Sequence, residues 1–151
     1  MADTIREQII SAFITRMAAW KTVSGFNHNC GASVFRAVQH IDEADVPACV
    51  LFPRAEEVTK QYGQNVCDMV LRVEAVAEIG TTNPSVIQEQ LLGDVITIMT
   101  DPAVSVTNKM TSIVYTAGGP AETPKAEDTT VAVFAEFTVK YNTLTGNPYS
   151  Q

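Results

Sequence analysis

Histidine and cysteine are the side chains here best suited to metal binding or nucleophilic attack, and four of them are His28, Cys30, His40 and Cys49. A zinc site usually shows paired ligands two to four residues apart, and it shows them twice. His28 and Cys30 are separated by a single residue, while His40 and Cys49 have no close partner. The spacing therefore favours buried thiols and loop histidines over a metal site, and we expect no cofactor.

A cysteine–histidine nucleophile pair is the second chemistry to consider, with Cys30 as nucleophile and either His28 or His40 as base. Such a thiol needs a positive neighbour that lowers its pKa. Cys30 has no lysine or arginine close to it in the sequence. We therefore expect a protein without enzymatic activity, with a small α/β enzyme or ligand-binding domain as the less favoured alternative.

Two other motifs lack the context that catalysis requires. Glu74, Glu78 and Glu136 resemble a hydrolase carboxylate pair if they face one another across a sheet, but a polar sheet face explains them more simply. The glycines of Gly118-Gly119-Pro120 form no phosphate loop, because no Lys-Ser/Thr and no helix start follow them.

Two long segments of alternating polarity carry the three glutamates. Thr129–Tyr141 is apolar at odd positions, and Val66–Ile79 follows the same rule, with charged residues on the opposite side. Side chains alternate across a strand, so each segment predicts a strand with one face on a core and one face in a wetter place. At about 3.3 Å per residue, Val66–Ile79 reaches about 46 Å, well beyond a usual strand. We expect either a bulge in this strand or an end that projects and needs a neighbouring chain.

Two helices are predicted from apolar residues at three- and four-residue steps. The first covers Asp3–Lys21, with Asp3 as N-cap, and Trp20 either lines a pocket or packs on the sheet. The second begins at Asn83-Pro84, a capping side chain followed by proline at the first helical position, and ends at Asp101-Pro102.

The remaining segments are shorter and less regular. We predict a strand over Val34–His40, an edge or one-sided strand over Val46–Phe52 between two prolines, a loop or helical turn over Ala55–Asn65, and a strand over Lys109–Ala117. The order of elements predicts one α/β (α+β) domain over residues 1–151, with a mainly antiparallel or mixed sheet of four to five strands packed by two helices.

Composition limits the classes of protein. A chain of 151 residues with 46% hydrophobic and 18% charged residues is typical of one globular domain. No apolar run is long enough for a membrane span, and the amphipathic start does not resemble a secretory signal. Three cysteines at irregular spacing favour reduced thiols. A net charge of -7 makes a surface that holds nucleic acid tightly improbable, although DNA can slide past an acidic wall.

This layout resembles the tail terminator (tail completion) proteins of long-tailed bacteriophages. The resemblance rests on the amphipathic first helix, the proline-bracketed strand Val46–Pro53, the long strand Leu71–Ile79, the capped helix with Ile87–Met99, and the closing FAEFTVKYNTLTGNPY at 134–149. The Tyr-x-Thr and Gly-Asn-Pro elements of that closing segment are its most distinctive part.

The resemblance implies a hexameric ring that docks on the last ring of tail-tube protein, stops tube growth and presents a surface to the neck or head-completion protein. DNA passes through the lumen without specific binding, and in contractile tails the sheath is a further partner. It implies a virion protein of the tail that is present in the host cytoplasm during assembly, with no membrane contact. Another head–tail joining or tail-tube component is the alternative.

Two polar segments are expected to contact neighbours in such a ring. The first is a mobile loop over 118–128, with Gly118, Gly119, Glu122 and Glu127 as candidate interface residues. The second is a C-terminal arm over 142–151, either frayed or ordered on a neighbouring subunit, with Tyr141 and Tyr149 as anchors.

Overall fold

A five-stranded mixed sheet carries two helices on one of its faces, in a computed structural model that describes residues 2–121 and 129–151. The elements in chain order are α1 Ile5–Met17, β1 Val34–Arg36, β2 Ala48–Gln61, β3 Gln64–Glu78, α2 Pro84–Thr100, β4 Met110–Pro120 and β5 Thr130–Leu144. The strand order in the sheet is β1-β2-β3-β5-β4, and only the β1–β2 pair is parallel. The predicted α+β fold is confirmed.

The two long alternating strands form the centre of the sheet. β3 and β5 pair antiparallel without interruption from Gln64↔Leu144 to Glu78↔Thr130. From Cys67 in β3 and Val131 in β5 onwards, the odd-numbered residues are buried and the even-numbered ones are partly or fully exposed. The strict alternation in the sequence therefore did predict which face of each strand meets the core.

The prediction of a loop over Ala55–Asn65 was wrong. β2 continues through Gln61 and turns into β3 at Tyr62-Gly63, where both residues have positive φ, 49° and 77°. Two residues with positive φ form a tight hairpin turn whose twist matches that of the strands. The expected bulge also lies elsewhere, between Pro53 and Glu56 of β2, while β3 itself is regular.

The backbone of the long strand is satisfied within the chain. The sequence suggested that a projecting end of Val66–Ile79 needs a second chain, but β2 and β5 flank β3 on its two sides. That expectation was therefore wrong. The predicted one-sided strand over Val46–Phe52 was correct only in part, because β1 covers Cys49–Leu51 and β2 has no outer partner among the described residues beyond that point.

The helix α1 is shorter than predicted at both ends. Its N-cap is Thr4 rather than Asp3, since the Thr4 hydroxyl accepts a hydrogen bond from the Glu7 amide at 3.1 Å. It ends at Met17, and the Trp20 carbonyl accepts from the Gly31 amide at 2.7 Å instead of continuing the helix.

The helix α2 agrees closely with its prediction. The Asn83 side chain accepts from the Ser85 amide at 2.9 Å, Pro84 opens the helix, and Asp101 follows its last residue. Its apolar residues pack on the sheet, namely Ile87, Leu91, Val95, Ile98 and Met99. Among the described residues, no helix is long and apolar enough to cross a membrane.

Other boundaries shift in the remaining strands. β1 ends at Arg36 rather than His40, because Ala37 adopts a left-handed φ of 53° and its amide donates to the Leu51 carbonyl. β4 and β5 both extend three residues beyond the C-terminal ends that the sequence predicted, to Pro120 and Leu144. The helix face of the sheet is thus covered over most of its length.

The first prediction concerns Leu91, which is fully buried between α2 and the sheet. Leu91→Ala is expected to lower the free energy of unfolding by about 2–5 kcal/mol, because it leaves a cavity in a close-packed core. Chemical denaturation measures the change. Glu89→Ala, on the exposed side of the same helix, is the control and should change stability by less than about 0.5 kcal/mol. Equal effects of the two substitutions would contradict this packing.

Candidate functional site

The helix-free face of the sheet is a polar surface that the long strands create. We call it the bare face, and it consists of the even-numbered residues of β3 and β5 with their neighbours on β2 and β4. It carries five acidic residues, Glu57, Asp68, Glu74, Glu78 and Glu136. Its three basic residues are Arg54, Arg72 and Lys140. Five acids against three bases leave an excess of two negative charges per chain.

Arg72 organises the centre of the bare face. Its guanidinium lies 3.0 Å from a Glu74 carboxylate oxygen and 3.3 Å from one of Glu136, and it stacks over the Phe134 ring at 4.2 Å. Two of the three carboxylates considered for a hydrolase pair, Glu74 and Glu136, are therefore held by a cation that is always charged. This arrangement is a fixed ion-pair cluster on a polar face, as the simpler interpretation predicted.

A hollow adjoins this cluster where the chain between β1 and β2 crosses the edge of the bare face. Val38, Val50 and Phe52 supply apolar lining, and Arg72 and Glu74 supply the polar side. His40 also lines it, but its side chain is 84% exposed and lies 3.3 Å from Asp42. The hollow thus combines apolar walls with charges that are already paired.

The glycines expected in a mobile loop belong to β4 instead. Gly118 and Gly119 pair with Ala135 and Phe134 of β5, so the loop prediction was wrong for 118–120. A Cβ at Gly118 would overlap the Tyr115 hydroxyl, and the Tyr115 ring packs against that of Phe137 with centroids 5.7 Å apart. Gly118 is therefore required by packing inside the chain.

The two acidic candidates of that loop, Glu122 and Glu127, lie outside the described residues, as does the rest of 122–128. On the near side of that segment, the Ala121 amide donates to the Ala132 carbonyl at 3.0 Å. The β4–β5 ladder thus extends at least to Ala121.

The C-terminal segment is ordered on its own chain, which corrects the prediction of a frayed end or an arm on a neighbour. Asn142–Leu144 complete β5, and the chain then turns back. The Ile5 amide donates to the Pro148 carbonyl at 2.8 Å, and the Leu144 amide donates to Ser150 at 3.0 Å. Tyr149 remains 47% exposed and is the one predicted anchor that is accessible.

Tyr141 is an internal residue rather than an interface anchor. Its side chain is 2% exposed, and its hydroxyl donates to a Glu56 carboxylate oxygen. Arg6 of α1 lies 3.1 Å from the same carboxylate. Burial, followed by the hydrogen bond to Glu56, raises the pKa of Tyr141 above its ordinary value. The three side chains tie α1 to the β2–β5 end of the sheet.

Asp94 is the buried polar residue that the sequence interpretation missed. Although only 4% exposed, its carboxylate accepts from the Trp20 indole at 3.0 Å and from the backbone amides of Asn27 and His28 at 3.0 and 3.1 Å. It thereby fastens the loop after α1 to α2. The sequence did contain a signal for its burial, because Asp94 falls on the apolar stripe of α2. Trp20 packs in the core, which was one of its two predicted roles.

The cysteine–histidine pair is not assembled. Cys30 and Cys49 are fully buried, and the Cys49 thiol donates to the Cys30 carbonyl at 3.4 Å. The ring of His28 forms a hydrogen bond with the Gln90 side chain, 3.2 Å away, and none with Cys30. Within the part of the chain that is described, no group of three or more His, Cys, Asp or Glu side chains is placed to hold a metal ion.

Comparison with other proteins does not assign the chain to a known group. No family model matches the sequence, and no curated protein is similar to it.

The second prediction follows from the buried thiols. Burial raises the pKa of Cys49 from 9.0 to about 12, and it raises that of Cys30 further. The unfolded thiols ionise first as pH rises, so the folded state then holds more protons than the unfolded state. The free energy of unfolding is expected to fall as pH increases above about 9, which denaturation at a series of pH values measures.

Two observations check this assignment. Cys49→Ala should show a shallower loss of stability above about pH 9, since one of the contributing groups is absent. At about pH 8, a thiol reagent should label no cysteine in the folded protein and all three after unfolding. Rapid labelling of the folded chain would show that a thiol is accessible and ionised, contrary to the burial described above.

Proposed function

We propose that this protein is a structural component of a bacteriophage virion, a tail terminator that caps the head-proximal end of the tail tube. Six copies form a ring, the ring stops tube growth, and its other side receives the neck or head-completion protein. DNA passes through the lumen without being bound. The chain acts without a cofactor and performs no catalysis, and it resides in the host cytoplasm until it joins the tail.

The observation that carries this proposal is the bare face of the sheet. A sheet with helices on one side only leaves its second side to solvent or to a partner. In this chain that side is polar and has an excess of acidic residues, with Glu78 exposed at one end and Asp68 towards the other. If the bare faces line the lumen, each copy presents negative charge to DNA phosphates, which repels them and leaves the DNA mobile.

A closed ring also suits a chain whose two sheet edges differ. Head-to-tail contacts between unlike surfaces generate a ring when the rotation per copy closes the circle. The tail-tube protein meets one side of that ring, the neck protein meets the other, and a sheath protein is a further partner where the tail contracts. The exposed Tyr149, next to the C-terminal turn, belongs to one of these two sides.

A tail-tube or other head–tail joining protein is the alternative within the same class, since a one-sided sheet also suits a tube subunit. The two roles differ in how they assemble. A tube subunit stacks ring upon ring without limit, whereas a terminator adds one ring and stops.

The third prediction separates these roles. Added to tail-tube protein during polymerisation, the purified chain should stop growth and appear as a single extra ring at one end of each tube in electron micrographs. Phage that lack the protein should produce overlong tubes without heads. Long tubes made by this chain alone would instead identify a tube subunit, and sedimentation as a monomer both alone and with tubes would overturn the ring.

The fourth prediction tests the orientation of the bare face. Glu78→Lys should leave tail length normal and lower DNA delivery about tenfold, because six copies would shift the net charge of the lumen wall by about +12. Infectivity per assembled particle and the rate of DNA ejection measure the effect.

Glu89→Lys is the matched control, because it makes the same charge change on the exposed side of α2, away from the bare face. It should leave DNA delivery unchanged. If both variants deliver DNA normally, the bare face does not line the channel.

A further inference from the structure

Besides the outer edge of the three-residue strand β1, two longer stretches of strand edge remain without a partner among residues 2–121 and 129–151. One is the outer edge of β4, Met110–Pro120, and the other is the half of β2 that extends beyond β1. The Arg54 carbonyl in that half accepts a hydrogen bond from Arg6, so the open part begins at Ala55 and ends at Gln61. Unpaired edges expose a row of amide and carbonyl groups that can pair with another strand.

The β4 edge lacks the features that usually protect such a strand. Its sequence, MTSIVYTAGGP, contains no charged residue, and its single proline is at the very end. The side chains of Val114 and Tyr115 are 56% and 37% exposed. Long uncharged edges are covered in native proteins, because otherwise they recruit other strands indiscriminately. The composition of β4 thus points to a partner strand.

The open part of β2 has the opposite composition. It carries Glu56, Glu57 and Lys60, with the exposed Val58 between them. Charged side chains along an edge discourage indiscriminate pairing while they still permit pairing with a matched strand. An uncharged edge and a charged edge on the same chain favour contact between unlike edges rather than between two copies of the same edge.

Both open edges lie at the same end of the sheet. Pairing across the strands places Glu57, Asp68, Lys140 and Ser112 in a single row. The Glu56–Val58 part of β2 is therefore level with the Met110–Ile113 part of β4. At the other end β1 already covers β2, and the edge that β1 itself leaves open is only three residues long.

The strand directions agree as well. Each step from β2 through β3 and β5 to β4 is antiparallel, so β4 runs opposite to β2. Copies arranged around one axis keep the same orientation, which places β4 antiparallel to the β2 of the next copy. Antiparallel strands form the more stable ladder. This arrangement also keeps all helices on one side of the joined sheet and all bare faces on the other.

We propose that β4 of one copy pairs antiparallel with Ala55–Gln61 of β2 in the next copy, so that the sheets join into one continuous ring. The partner is a second copy of this chain, and the contact rests on the ring proposed above. On the helix side, Val58 of one copy lies beside the β4 side chains of its neighbour. On the bare side, Glu57 of one copy and Val114 of the other both face the lumen, two residues apart along the paired strands.

Cross-linking between two introduced cysteines tests this contact. Glu57→Cys and Val114→Cys both replace exposed residues on the bare face, so the fold should be preserved, and the native cysteines are buried. With a flexible thiol cross-linker, the double variant should give a ladder of products up to the hexamer, whether the ring forms alone or on tubes. Each single variant should give no product, while an equal mixture of the two should give dimers.

A matched control places one cysteine on the wrong surface. Val86→Cys combined with Val114→Cys should give no ladder, because Val86 is exposed on the first turn of α2, on the helix side of the sheet. Hydrogen exchange of the wild-type chain provides a second readout. The amides of β4 and of Ala55–Gln61 should become protected on assembly, whereas those of the exposed Thr22–Ser24 turn should not.

Three results would overturn the proposal, and they can be told apart. Dimers from Val114→Cys alone would show that two β4 edges pair with each other. A visible ring with no cross-linked ladder and no protection of β4 would preserve the ring but reject these edges. A monomer under all conditions, with tube protein present, would reject both this contact and the proposed function.

Discussion

The uninterrupted pairing of β3 with β5 is the constraint on which the rest of the molecule depends. Because two long strands pair along their whole length, every side chain between them is assigned to one of two faces. The odd-numbered face is apolar and requires cover, which α1 and α2 supply. The even-numbered face holds the charged residues and receives no helix. The division of this protein into a packed side and a bare side therefore follows from the register of one strand pair.

Two carboxylates, Asp94 and Glu56, form polar contacts that hold the helix side of the fold together. Asp94 is buried, yet its carboxylate is surrounded by amide donors from the loop after α1 and by the Trp20 indole. A buried charge is tolerated when it is fully hydrogen-bonded, and removal of one partner costs several kcal/mol. Glu56 has a similar role at the other end, between Arg6 and Tyr141. Both sites attach α1 or its following loop to the rest of the fold, so the short first helix is held by polar contacts as well as by apolar packing.

Much of the fold was predictable because its signals are local. Alternation identified β3 and β5, and Asn83-Pro84 identified the start of α2. The prediction was wrong for Ala55–Asn65, because an edge strand exposed on both faces loses its alternation and resembles a loop. It was also wrong for the tail, because the partner of Pro148 is Ile5, at the opposite end of the chain. No local pattern encodes such a contact.

The residues of the candidate surface were also predictable only in part. The charged residues at even positions of β3 follow directly from the sequence, and Tyr141 was misassigned although its odd position already placed it with Phe137 and Val139 on the core side. The open edges could not be predicted, since a strand is an edge only with respect to the order of strands in space. The sequence identifies β4 as a strand. It is an unprotected edge because it comes last in the order of the described strands, with β5 on one side and no strand on the other.

This order of the described strands leaves the edge of β4 and half of the edge of β2 unpaired in a single copy. The uncharged edge of β4 favours any available strand, and two such edges brought together would satisfy each other and leave the charged half of β2 open. Pairing of β4 with β2 covers both edges of every copy, but only if the arrangement closes on itself, since an open row always ends in one bare edge of each kind. Closure is thus the state in which no backbone edge at this end of the sheet remains unpaired. If the chain caps a tube as proposed, closure limits sideways growth to a single ring, and the exposed surface of that ring decides whether another ring can stack on it.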